Sequence, residues 1–433
     1  MSSQGVAGGR VRKGEAAGLA VSFLYFFCVL AAYYMIRPVR EQLAAAVGST
    51  QLPWFYAATF VAILALAPVF GALVSRYPRR IAVPAFNLVF IACLVGFVPL
   101  FTGQLLSPRT LGIVFFVWVS VFNLFVVSVF WIFMTDIWTV AQARRLFPLI
   151  GLAGTSGAVA GPALTRFLVG ALGVAPLLLV SAGLLAVALG CVVWLGRWSR
   201  LHGERRAPAD EAAVGGGMFD GLRQIFADPF MRGMALLLLL ADGIGTVNYA
   251  LVTDYSFHVL GDAVARTRFA ANVDLATNVL TAGVQLTVTR WLLPRFGAGP
   301  TILAWALTSL GMLLVVVFSA DPYAPLLAGM PAVALALIVS RGLAYGMAEP
   351  ARHSLFAGVP RNIRYKGQNA VDTAVWRFGD VVIATGMNLL RGVGATVATF
   401  AGLSAAAAIG AGAIGWRLSR WHDRAAPAQP PPP

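Results

Sequence analysis

The amino-acid sequence predicts an all-α integral membrane protein with about twelve transmembrane helices in two six-helix halves. Three observations predict it. Of the 433 residues, 59% are hydrophobic and 11% charged, and the mean hydropathy is +0.79. The apolar residues fall in runs of roughly 20, enough at about 1.5 Å per residue to cross a hydrocarbon core about 30 Å thick. The basic residues gather in alternate joins between those runs, the pattern of the positive-inside bias. That pattern also accounts for the formal net charge of +15. The positives sit in short loops between apolar runs, so nucleic acid is not expected as a partner.

The expected spans cover approximately 16–37, 53–75, 81–102, 110–134, 146–170, 174–196, 231–254, 268–290, 300–319, 325–348, 368–390 and 395–416. Span one follows MSSQGVAGGRVRKGE and is too long for a cleaved signal segment, so it should remain as an anchor. It ends in YYMIRPVRE, where Pro38 is expected to close the helix. Span four carries Ser120, Asn123 and Asp136, and span five carries Gly157 and Gly161, whose spacing permits close helix packing. Spans three, six, nine and twelve have no charge within their apolar runs. The join 197–230 begins RWSRLHGERRAPADEAAVGGG, a linker composition, and continues as FDGLRQIFADPFMRG, which can form an amphipathic helix at a membrane surface. The expected domains are therefore an N-terminal half (1–196), a cytoplasmic linker (197–230), a C-terminal half (231–420) and a disordered Pro-rich tail (421–433). Basic clusters before span one, after spans two, four, six, eight and ten, and after span twelve all lie on one side. Both termini are expected to be cytoplasmic.

Charged and amide side chains inside such a chain point to function, because each is costly in lipid. Span seven places Asp242, Thr246, Tyr249 and Thr253 at helical spacing. Span eight places Asp274, Asn278, Thr281 and Gln285 at i, i+4, i+7 and i+11, one polar face about three turns long. The stretch Tyr345–Asp380 is the densest in charge. If span eleven begins near Gly367, Arg377 lies about 15 Å along it, with Asn369, Thr373 and Asp380 on the same face. Two readings stay open for these groups: ion pairs and hydrogen bonds that lock helices together, or the wall of a solute pathway. Arg37, Arg341 and Arg377 favour an anionic solute, since a guanidinium binds phosphate or carboxylate as a fork. The candidate solute-contacting residues are Arg37, Asp242, Asp274, Asn278, Gln285, Arg341, Arg377 and Asp380.

The joins after spans four and ten, MTDIWTVAQARRLF and MAEPARHSLFAGVPRNIRYK, each run from an acid at a helix end into a basic loop. Asp136 with Arg144 or Arg145, and Glu349 with the basic cluster holding Arg361 and Lys366, are candidate gate pairs on the cytoplasmic side. Enzyme chemistry is not indicated. His202, His258, His353 and His422 lie far apart, without a Ser/His/Asp or metal pattern, and no phosphate-cradling Gly-rich loop with Lys-Ser/Thr occurs. Cys28, Cys93 and Cys191 lie in apolar runs without ligand spacing, so no cofactor, zinc site or disulfide framework is expected.

The chain resembles the major facilitator superfamily. Gly71–Arg80 (GALVSRYPRR) is similar to that family's cytoplasmic loop motif, with Ser75 and Pro78 where an acid and a glycine are usual. Gly157-x-x-x-Gly161-Pro162 is similar to its antiporter motif. The segments YYMIRPVREQL, FWIFMTDIWTVAQARRLFPLIGLAGTSGAVAGP, ARTRFAANVDLATNVLTAGVQ and PARHSLFAGVPRNIRYKGQNAVDTAVWRFGD resemble the bacterial and plastid ATP/ADP translocases. The resemblance implies a monomeric secondary transporter of a bacterial inner membrane, its two halves rocking around a midplane site for a small anionic solute. Nucleotide exchange is within its range. The alternative is a lipid flippase or a non-transporting membrane sensor on the same fold.

Overall fold

The computed structural model describes residues 14–77, 79–103, 105–202, 228–356 and 376–425. They form helices α1 (Ala16–Val47), α2 (Leu52–Arg76), α3 (Arg79–Thr102), α4 (Pro108–Ile137), α5 (Val140–Leu172), α6 (Ala175–His202) and α7 (Pro229–Val259). There follow α8 (Ala263–Val284), a π-helical turn (Gln285–Thr289), α9 (Arg290–Phe296) and α10 (Ala298–Phe318). A short hairpin, β1 (Pro325–Leu327) and β2 (Met330–Pro331), precedes α11 (Ala332–Leu343), a second π turn (Ala344–Ala348), α12 (Glu349–Leu355), α13 (Trp376–Gly392) and α14 (Val397–Ala425). Among the described residues ten helical stretches are long and apolar enough to cross a membrane. With α8 running through its π turn into α9, and with α13, they make the twelve expected helices.

Helix starts follow local chemistry. Ser107 caps α4, its Oγ accepting the Thr110 N–H, with Pro108 at the first helical position. Thr139 and Gln142 form a capping box at the start of α5. Asp228 accepts from the Phe230 and Met231 N–H groups ahead of α7.

Two expectations about span limits are corrected. Pro38 does not end the first helix, which continues nine residues to Val47. In lipid a helix keeps its backbone bonds wherever it can, and neighbouring hydroxyls support the gap a proline leaves. The carbonyl that Pro38 leaves without its N–H is that of Tyr34; around it Thr165 of α5 donates to the Met35 carbonyl and Ser181 of α6 to the Ala32 carbonyl, each at 2.9 Å, fastening this part of α1 to its neighbours. At the tenth span, Pro325–Pro331 is a hairpin rather than helix. Its two turn residues, Ala328 and Gly329, have positive φ, as a two-residue hairpin turn requires. The linker's amphipathic stretch, the start of span eleven near Gly367 and the Pro-rich tail lie largely or wholly outside the described residues.

The chain clusters into two compact units. Unit 1 comprises Met1–Ala46, Val61–Glu211 and Asp262–Leu275; unit 2 comprises Val47–Phe60, Ala212–Gly261 and Ala276–Pro433. Unit 1 has an aromatic core. Phe26 stacks on Phe130, and Trp118 stacks on Phe122 and meets Phe97 edge-on. Its helices α3 and α6 pair, as α10 and α14 do in unit 2, so the four charge-free spans pair with one another. Helix α1 crosses α5 where a Cβ on Gly157 would stand 2.5 Å from the Phe27 carbonyl oxygen, and one on Gly161 2.7 Å from that of Ala31. Only glycine permits this approach.

Candidate functional site

In unit 2, helices α7, α11 and α13 bring polar side chains together. Asp242, Thr246 and Tyr249 share the face of α7 that the i, i+4, i+7 spacing sets. Asp242 is 13 residues into the helix from Pro229, about 20 Å along it, and is half-buried. It faces α13 closely enough that a Cβ on Gly379 would lie 3.5 Å from its Oδ2. One turn on, the buried Thr246 donates to Asp380 Oδ1 at 2.7 Å. Asp380 is itself 6% exposed, and Arg377 Nη1 stands 3.8 Å from its Oδ2. This is the pairing the i, i+3 spacing suggested, at the loose end of ion-pair range, and it leaves the Arg377 side chain 32% exposed.

Arg341 completes this group. It lies nine residues into the apolar stretch Ala332–Leu355, about 14 Å along. Its guanidinium sits 5.8 Å from the centre of the Tyr249 ring. Among the described residues no carboxylate pairs with it. A cation–π contact of that kind contributes about 0.5–2 kcal/mol and leaves the fork of N–H donors open. Beside it, Asn248 Nδ2 reaches Ser340 Oγ at 3.5 Å, and Trp305 Nε1 donates to the Ser340 carbonyl at 3.0 Å. Ser340 and Trp305 escaped the sequence reading. A serine before an arginine in an apolar run carried the available signal, whereas nothing marked Trp305 among the other core aromatics.

The polar face of span eight divides in use. Asp274, at its upper end, belongs to unit 1 and accepts from Arg37 Nη1 at 3.2 Å. Arg37 also meets Glu41 at 3.5 Å, and Glu41 in turn pairs with Arg40, whose guanidinium lies 4.5 Å over the Phe116 ring. Asn278 is half-buried on the same face. The lower end ties α8 to its neighbour in unit 2. Thr281 donates to the Gly342 carbonyl at 3.2 Å, Gln285 to that of Tyr345 at 3.2 Å and Thr289 to that of Gly346 at 2.7 Å. The last two carbonyls lie in the second π turn, whose i→i+5 pattern disturbs the normal ladder. Gln285 thus holds two helices together through the Tyr345 carbonyl.

The candidate gate residues fall differently. Arg145 pairs with Glu15 at 2.9 Å, and Gln142 Nε2 donates to the same carboxylate at 3.2 Å. Asp136 is exposed at the end of α4. Glu349 is engaged within its own helix, accepting from Arg352 Nε at 3.0 Å with His353 Nε2 3.1 Å away. Arg361 and Lys366 lie outside the described residues, as does the Arg144 side chain. A further polar cluster in unit 2 gave no clear sequence signal. Arg391 pairs with Asp254 at 2.7 Å, and Asn388 donates to the Thr50 carbonyl at 2.8 Å. Burial pushes the nearby Tyr323 hydroxyl up to about 12, Asp254 adding to the shift and Arg391 opposing it.

No family model matches the chain, and no curated protein matches it by sequence. Its fold is nonetheless shared with solved structures. The nucleoside transporter NupG aligns with TM-score 0.62 and 15% identity over 93% of this chain and 99% of that one. The POT family transporter PepTSo aligns at 0.63 and 11% over 94% and 98%. A bacterial homologue of the iron transporter ferroportin, in an inward-facing state, aligns at 0.63 and 14% over 94% and 98%. At such identities the likeness is one of fold. The chain is a multi-pass α-helical membrane protein with the major facilitator architecture that the resemblance implied. Those structures are of a nucleoside transporter, a POT family transporter and a homologue of an iron transporter, and what each carries is a property of that protein.

Proposed function

We propose that this protein is a secondary active transporter that moves a small anionic solute by alternating access, with nucleotide exchange among the candidate activities. The observation that carries the proposal is Arg341. A guanidinium well inside an apolar helix costs at least about 2.5–3.5 kcal/mol, and here no described carboxylate neutralises it. A site that keeps such a charge is suited to an anion that arrives and leaves. Arg377, 32% exposed and loosely held by Asp380, offers a second contact, and the Tyr249 ring a flat surface beside the first. Asp242 and Asp380 would exclude the wrong charge or take up a coupling proton. Arg37 and Asp274, bound to each other, serve this reading as a structural pair rather than as solute ligands. The fold supports the mechanism, since the transporters that share it differ widely in cargo. On this reading both termini face the cytoplasm of a bacterial inner membrane, and the protein works as a monomer.

The test is exchange in liposomes loaded with nucleotides, inorganic phosphate or organic anions. Uptake of at least one class is expected, with Arg341→Ala and Arg377→Ala each reducing it more than tenfold. That factor corresponds to loss of about 1.4 kcal/mol or more of binding, within the range for charged hydrogen bonds. Asp242→Asn tests the coupling role by changing the response of uptake to an imposed pH gradient. Failure of every anion, or uptake indifferent to both arginine substitutions, would refute an anion carrier.

A further inference from the structure

We infer that the groove between α10 and α14 binds an acyl chain of an anionic phospholipid, with Arg417 holding the headgroup phosphate. Both helices lie among the stretches able to cross a membrane, so the surface they share is presented to lipid. The groove arises from small residues. A Cβ on Gly415 would stand 2.5 Å from Ile302 Cγ2, one on Gly299 2.9 Å from Ser419 Cβ, and one on Gly412 3.1 Å from Ala306 Cβ. The backbones therefore close together at this end, while the larger side chains Leu307 and Ile409 stand out on either side, 57% and 59% exposed. Between them runs a trough of about 420 Å³ floored by Gly412 and Ala413. It spans roughly three helical turns of α14, from Ala408 to Arg417.

What distinguishes this trough from ordinary lipid-facing surface is its end. Trp416 and Arg417 close it, both exposed, and Arg420 follows one turn later. Among the described residues no carboxylate lines it. Tryptophan favours the level of the headgroups, and a guanidinium there meets a phosphate as a two-pronged donor. The charge is complementary to an anionic lipid, whereas the ammonium of a zwitterionic headgroup gains nothing from the arginine pair. The trough accepts the chain and the arginine selects the head.

Native mass spectrometry of the purified full-length protein, titrated with phosphatidylglycerol and phosphatidylcholine of identical chains, tests this. The wild type should retain phosphatidylglycerol in preference by about fivefold, the weight of one arginine near an anionic surface. Arg417→Gln should abolish the preference while leaving weak retention of both lipids. Ala413→Trp, which fills an exposed part of the trough, should reduce retention of both. Equal retention of the two lipids by the wild type, or a preference that survives Arg417→Gln, would overturn the assignment. So would a dimer in the spectrum that Ala413→Trp dissolves, because a second copy would then occupy the groove.

Discussion

The ion pair between Arg37 and Asp274 makes a quantitative prediction. Over 3.2 Å, Coulomb's law with an effective dielectric of about 20 gives an attraction of about 5 kcal/mol. Both groups gave up water to make it, Arg37 being 11% and Asp274 4% exposed, and that desolvation offsets most of the gain. Asp274→Ala removes the attraction but not the cost. Arg37 is then left to share Glu41 with Arg40, two positive charges against one negative. The expected loss is about 3–5 kcal/mol, the usual result of stranding a buried charge. Arg37→Met combined with Asp274→Leu removes both charges and keeps the volume, and its stability should return close to the parent. Denaturant unfolding of the full-length protein in micelles, followed by tryptophan fluorescence, measures each variant. A loss below about 1 kcal/mol for Asp274→Ala would mean that the pair behaves as a solvated surface bridge. A double variant as unstable as the two single losses combined would show that desolvation is not the opposing effect, and the reasoning would fail.

Other outcomes are expected from the same unfolding assay and from expression. Thr246→Val removes the donor to the buried Asp380 and should cost about 1–3 kcal/mol, whereas Thr246→Ser should keep most of the stability. Gly161→Ala sets a methyl against the Ala31 carbonyl and should cost about 1–3 kcal/mol, visible as a lower yield of monodisperse protein; unchanged yield would mean that α1 can draw back from α5. Thr139→Ala breaks the capping box of α5 and should cost about 1 kcal/mol, with Thr139→Ser restoring it.

Much of the architecture was legible because lipid permits few solutions. Runs of apolar residues must be helices there, so about twelve spans could be counted and four of them seen to carry no charge. Gly157 and Gly161 announced a close crossing by their spacing alone, though not that α1 was the partner. The boundaries were less legible. Pro38 looked like a terminus because its local preference is clear, but α1 runs on to Val47, and Thr165 and Ser181, more than a hundred residues away, bind backbone carbonyls in the turns before it. The polar residues were found readily and their partners were not. Spacing placed Arg377 with Asp380 and put Asp242 in line with Thr246, because those relations are local to one helix. That Arg37 reaches Asp274, that Glu15 takes Arg145 and that Arg391 takes Asp254 are facts of packing between helices, which periodicity does not encode. Arg341 was singled out as a charge in the wrong medium, and its lack of a described counter-charge needed coordinates.

The two π turns change how the sequence of unit 2 has to be numbered off around its helices. Each inserts one residue into a 3.6-residue repeat, advancing everything after it by about 100° in phase. A stripe traced from Asp274 by steps of three and four cannot be carried past Thr289 into α9, nor one from Arg341 past Ala348 into α12, without that correction. Because the insertions lie side by side and are stitched by Gln285 and Thr289 to the carbonyls of Tyr345 and Gly346, the two rotations are matched. Deleting a residue from one turn alone would leave its lower helix out of phase with its neighbour. Shortening both together should be tolerated better than shortening either.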